Sequence, residues 1–128
     1  ALTRLRLLAE RMGVREDPAF RDRYTRLALD LHDLTALFET YVEKLRRGEE
    51  IGADVSLMKI FQSELYQRIS EEMMEIAGET AGDLEPLDGD PRLHAAGTYI
   101  MARPTTIFGR SSEIMRNVIA KAVLDLPS

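Results

Sequence analysis

The sequence predicts an all-α chain folded as an up-and-down helical bundle, and three observations carry that prediction. Apolar residues recur at alternating spacings of three and four along two long segments. Asp-Pro pairs and glycines bracket the periodic stretches as helix starts and stops. No period-two pattern is long enough to build a sheet, and no internal repeat interrupts the plan.

The first long helix lies in "DPAFRDRYTRLALDLHDLTALFETYVEKLRRG". Phe20, Tyr24, Leu27, Leu31, Leu34, Phe38, Tyr41 and Leu45 form its apolar seam, so Leu31 is expected in the core. Asp17 can cap the N-terminal amides, and Pro18 fits the first turn because its missing N–H costs nothing there. Lys44, Arg46 and Arg47 sit near the negative end of the helix dipole, with Gly48 as a left-handed stop.

A second long helix occupies "ADVSLMKIFQSELYQRISEEMMEIAG", with Met58, Phe61, Leu65, Ile69, Met73 and Ile76 as its stripe and Gly78 at its end. The link "GEEIG" is short, which predicts antiparallel neighbours. "ETAGDLEPLDGD" is acidic and turn-rich and reads as a surface loop. Asp90-Pro91 repeats the cap-plus-proline start and opens a shorter helix through about Ala102. Pro104 disfavours helical geometry at Arg103. A last helix is expected over about Ser112–Leu124.

The totals set bounds on function. The chain has 128 residues, 45% hydrophobic and 30% charged, enough for one domain with a real core. Its net charge of −5 argues against a phosphate-tracking nucleic-acid surface. The absence of cysteine removes disulfides, thiolate metal sites and cysteine nucleophiles. No apolar stretch approaches the roughly 20 residues of a membrane span. A cytoplasmic location is the matching expectation. The opening "ALTRLRLLAERMG" has no small-residue cleavage site and starts inside a helical pattern without an initiator Met. The expectation is a piece of a larger protein.

His32 and His94 stand on different segments without the i, i+4 spacing and third ligand of a zinc site, so both read as surface or core-edge residues. Glu71, Glu72 and Glu75 lack the Glu-x-x-His partner of a di-iron bundle and read as a solvated helix face. Met73 and Met74 read as core filling and its edge. The corner at Gly109–Ser112 differs. The N–H groups of the helix that follows it, with the positive end of the dipole behind them, suit an anion or a sugar–phosphate. Arg110 adds charge, while the hydroxyls of Ser111 and Ser112 suit either a helix cap or a ligand.

The stretch carrying this corner, "MARPTTIFGRSSEIMRNVIAKAVLDLP", resembles the C-terminal signature of the acyl-CoA dehydrogenases: an arginine, a glycine-bearing turn, then a Glu/Gln-Ile-x-Arg helix. "SLMKIFQSELYQRISEEMMEIAG" is similar to that family's penultimate long helix, with its small-residue–Met-Lys start. The resemblance implies a single C-terminal helical-bundle domain over residues 1–128, cut from a larger flavoprotein and truncated in its first helix. It implies FAD as cofactor, an acyl-CoA thioester as substrate, α,β-dehydrogenation as the reaction, and a homo- or hetero-oligomer. Gly109, Arg110, Ser111 and Glu113 are the implied cofactor-binding positions, and Arg103 and Arg116 match arginines read as structural. In many members the catalytic base occupies the position of Gly109, so no catalytic residue is expected here. Arg110 replaces the usual second glycine of the turn, the Arg-x-x-Phe-Gly segment is not recognisable in "AERMGVREDPAF", and the usual double glycine has become "GETAG". These departures define an alternative: a non-catalytic assembly bundle derived from the family, partner in a heteromer.

Overall fold

The structure, a computed structural model, describes residues 1–127. Five α-helices follow one another: α1 (Leu2–Arg11), α2 (Pro18–Arg46), α3 (Ser56–Ala77), α4 (Ala95–Ala102) and α5 (Ser112–Ala122). Short 3-10 turns join them, and there is no strand among the described residues. The all-α bundle is thus as the sequence predicts.

Asp17 starts α2 as expected: its carboxylate accepts the Phe20 amide at 2.8 Å, with Pro18 in the first turn. At the other end Gly48 takes φ +71°, and the Glu49 amide closes back on the Lys44 carbonyl at 3.0 Å. The chain then returns through a 3-10 turn (Ala53–Val55) directly into α3. Three cross-links prove the pair antiparallel, because their residue numbers run in opposite directions. Arg23 bonds both oxygens of Glu72 at 2.9 Å, Arg68 bonds Asp30 at 2.6 Å, and the Tyr41 hydroxyl bonds Asp54 at 3.1 Å.

Helix α3 is the axis of the bundle, and every other helix packs on it. That position explains why it buries residues on several sides: Leu65, Ile69, Met73 and Ile76 toward α1 and α2, with Ile60, Ser63 and Ser70 also covered. The core joins them to Leu5 and Leu8 of α1, Phe20 and Leu27 of α2, and Leu93. Ser63 and Ser70 satisfy their buried hydroxyls on the carbonyls of preceding turns.

Several expectations need correction. The seam of α2 is covered only in part. Phe20, Leu27 and Tyr41 are buried, but Leu31 is 38% exposed, Phe38 52% and Leu45 59%. Periodicity finds the apolar face; it does not say what covers it. Glu72 is no solvated residue: it is buried, and Arg23, whose Nε–H is shared between both carboxylate oxygens, is what lets a carboxylate stay there. The same contact raises the Arg23 pKa. Asp90 does cap a turn, accepting the Arg92 amide at 2.9 Å. That turn is only Pro91–Leu93, and His94 (φ −100°, ψ 89°) breaks it from α4. Arg103 is helical (φ −59°, ψ −51°) despite the proline after it, and opens a 3-10 turn, Arg103–Thr106. Its guanidinium stacks 4.2 Å over the Tyr99 ring and bonds Glu71 at 3.0 Å, contacts that offset the pre-proline penalty. The last helix stops at Ala122, two residues before its expected end.

The open part of the α2 seam yields a prediction. Exposed apolar faces of this kind associate, so the 128-residue chain is expected to form oligomers at high micromolar concentration. Light scattering checks it; a monodisperse monomer would count against the prediction.

Candidate functional site

Residues 102–116 form the one segment where the predicted site residues come together. The 3-10 turn Arg103–Thr106 leads into a corner whose two successive residues, Gly109 (φ +69°) and Arg110 (φ +91°), are both left-handed. This is backbone that glycine adopts freely and a side chain adopts only under strain. Arg110 therefore keeps a conformation better suited to glycine. A Cβ built on Gly109 meets no atom within 4 Å, so space is open beside the turn.

Ser111 and Ser112 divide the labour the sequence left undecided. Ser111 is the N-cap of α5, its oxygen accepting the Ile114 amide at 3.3 Å. Ser112 is only 3% exposed and donates to the Thr106 carbonyl at 3.4 Å, pinning the start of α5 to the preceding turn. Glu113 projects from the first turn of α5 and is exposed. Its own backbone amide, then the Ser111 hydroxyl, hold its carboxyl below the usual range. Arg110 is exposed, while Arg116, one turn into α5, is tied to Glu64 of α3. Arg103 and Arg116 are therefore structural ties in this fold.

Sequence reasoning missed the support behind the corner. Lys59 of α3 donates to the Thr106 carbonyl at 2.9 Å, and the Gln67 amide donates to the Ala102 and Arg103 carbonyls at 3.3 and 3.2 Å. A hollow of about 250 Å³ opens alongside, lined by Lys59, Gln62, Ser63, Tyr66, Thr105 and Phe108. The Met-Lys start of α3 was visible in the sequence, but its partner lies 47 residues further on. Of the histidines, His32 is exposed and His94 is half-buried at the foot of α4, its Nδ1 against Gly97.

As a surface for FAD, the corner is a wall rather than a cradle. Gly109 leaves room for close approach, and Arg110 offers a cation to a phosphate. The Glu113 carboxylate accepts hydrogen bonds, which suits a ribityl or ribose hydroxyl better than an anion. The residues present fit one edge of the cofactor. Position 109 carries a glycine, not a carboxylate.

The chain belongs to the acyl-CoA dehydrogenase C-terminal domain family, whose model matches residues 6–124. Among similar proteins are two acyl-CoA dehydrogenases named IpdE1. The one from Mycolicibacterium smegmatis is 30% identical over 120 residues, covering 94% of this chain and 29% of that protein. The one from Mycobacterium tuberculosis is 30% identical over 129 residues, covering 98% of this chain and 31% of that protein. The chain thus spans less than a third of the length of these relatives. No solved structure matches it. Among the described residues, no helix is long and apolar enough to cross a membrane.

Proposed function

We propose that the chain is the C-terminal bundle of an FAD-dependent acyl-CoA dehydrogenase, contributing an oligomer interface and one wall of the flavin site. The reaction proposed for the whole protein is oxidation of the α,β bond of an acyl-CoA thioester, for which bound FAD would supply the acceptor of the β-hydride while a base takes the α-proton. The observation that carries this reading is the left-handed Gly109–Arg110 corner, set open at the start of α5 inside the segment most like the family's signature. Gly109, Arg110, Ser111 and Glu113 are its cofactor-facing residues. Ser111 acts by capping the helix whose amides face the flavin, and Glu113 by accepting a sugar or ribityl hydroxyl. The open Leu31–Phe38–Leu45 face supplies apolar surface for assembly.

A second reading is favoured by Gly109 and Arg110 themselves. With neither a carboxylate nor a second glycine in the turn, the bundle serves assembly alone, as the non-catalytic partner in a heteromer. One assay separates the two. The purified full-length protein is expected to carry FAD and to reduce an electron acceptor only when an acyl-CoA is added. A colourless protein that responds to no acyl-CoA supports the assembly module instead.

A further inference from the structure

We infer that Lys59 and Gln67 of α3 are positioning residues that hold the Gly109–Ser112 corner at its distance from the cofactor, an inference that rests on the function proposed above. Both reach across to carbonyl oxygens of the segment entering the corner. These carbonyls lie where α4 and the 3-10 turn run out, and Pro104 has no N–H to offer any of them. Hydroxyls of the segment reach two of them, Thr105 donating to the Ala102 carbonyl at 2.6 Å and Thr106 to the Arg103 carbonyl at 3.2 Å, and α3 adds the bonds that tie these carbonyls to the rest of the bundle. Gln67 takes the Ala102 and Arg103 carbonyls and lies 3.5 Å from the Thr106 hydroxyl. Lys59, two helical turns earlier, takes the Thr106 carbonyl at 2.9 Å.

That carbonyl is a node. It also accepts the hydroxyl of buried Ser112, the first residue of α5, so one ammonium on α3 fixes both the turn before the corner and the helix after it. The Lys59 charge also contributes, as the smallest of several causes, to lowering the Glu113 carboxyl beyond the corner. Between these anchors, Ile107–Arg110 are all exposed. The corner's own residues thus have little packing to define where it sits. Beside the Arg103–Glu71 and Arg116–Glu64 ties, two side chains about forty residues away hold the entry to the corner, and the bond from Lys59 is charge-assisted.

The test uses the full-length protein with Lys59→Met, Gln67→Leu and Lys59→Arg, read by amide hydrogen exchange and by flavin content after dialysis. Lys59→Met and Gln67→Leu are expected to speed exchange over residues 105–114 by about tenfold or more, leaving the α1–α3 core amides unchanged. FAD affinity should fall by a similar factor. Lys59→Arg keeps a cationic donor and should restore both within about threefold. Unchanged exchange over 105–114 overturns the inference, whatever the flavin does. An equal rise throughout the core overturns it too, since that is the behaviour of an ordinary stabilising residue. Faster exchange confined to the corner with flavin fully retained overturns the placement of FAD beside it, and with that the function proposed above, while the tie itself stands.

Discussion

Met73→Ala is expected to destabilise the bundle by about 2–5 kcal/mol. Met73 is 0% exposed and stands near the C-terminal end of α3, where α1 and α2 converge with Leu5, Leu8, Ile69 and Leu93 in one core. Truncation removes apolar area from that core and leaves a cavity that helices fixed on three sides cannot close. Leu31→Ala is the contrasting substitution. At 38% exposure on the open face of α2, Leu31 has little to lose, and its removal is expected to cost about 1 kcal/mol or less. Chemical denaturation at a concentration low enough to keep the chain monomeric ranks the two. A larger loss for Leu31→Ala would show that the α2 seam is covered in solution and that α3 is not the axis of the fold.

The second large effect concerns Arg110→Gly, where stability and flavin retention are expected to move in opposite directions. At φ +91° the arginine is held in backbone that favours glycine, so the substitution should relieve about 1 kcal/mol of strain in the flavin-free protein. Flavin retention should fall by roughly 1.5–3 kcal/mol if the exposed guanidinium pairs with a phosphate of FAD in the full-length protein. Thermal melting of the flavin-free form and absorbance after dialysis read the two effects separately. A more yellow variant would mean that Arg110 obstructs the cofactor, and would favour the assembly module.

What could be read in the sequence divides along the range of the interactions. Caps and stops are local, and Asp17, Pro18 and Gly48 act where the sequence placed them. The α2 and α3 stripes were equally legible, because a 3.6-residue period shows which residues share a face. Which faces are covered was not legible: Leu31 and Leu27 belong to one stripe, yet only Leu27 lies where other elements cover it. Glu72 looked like its solvated neighbours because its partner, Arg23, is on another helix. Arg103 looked non-helical because the proline penalty is local, whereas the Tyr99 and Glu71 contacts that offset it depend on how the helix packs.

The candidate site follows the same division. Gly109, Arg110, Ser111 and Glu113 could be picked out from a corner of glycine, cation and hydroxyls ahead of a helix, but the separate tasks of the two serines required the Thr106 carbonyl to be in place. Lys59 and Gln67 gave no sign of their role, since each acts on carbonyl oxygens that every sequence carries.

The central claim is that this corner forms part of the flavin site, and a structure of the full-length protein with FAD bound tests it most directly. The expected result is a polar atom of FAD within about 2.7–3.2 Å of an amide, hydroxyl, carboxylate or guanidinium group between Gly109 and Glu113, with Gly109 in van der Waals contact with the cofactor. An FAD molecule seated with no atom in contact with residues 109–113 would contradict it.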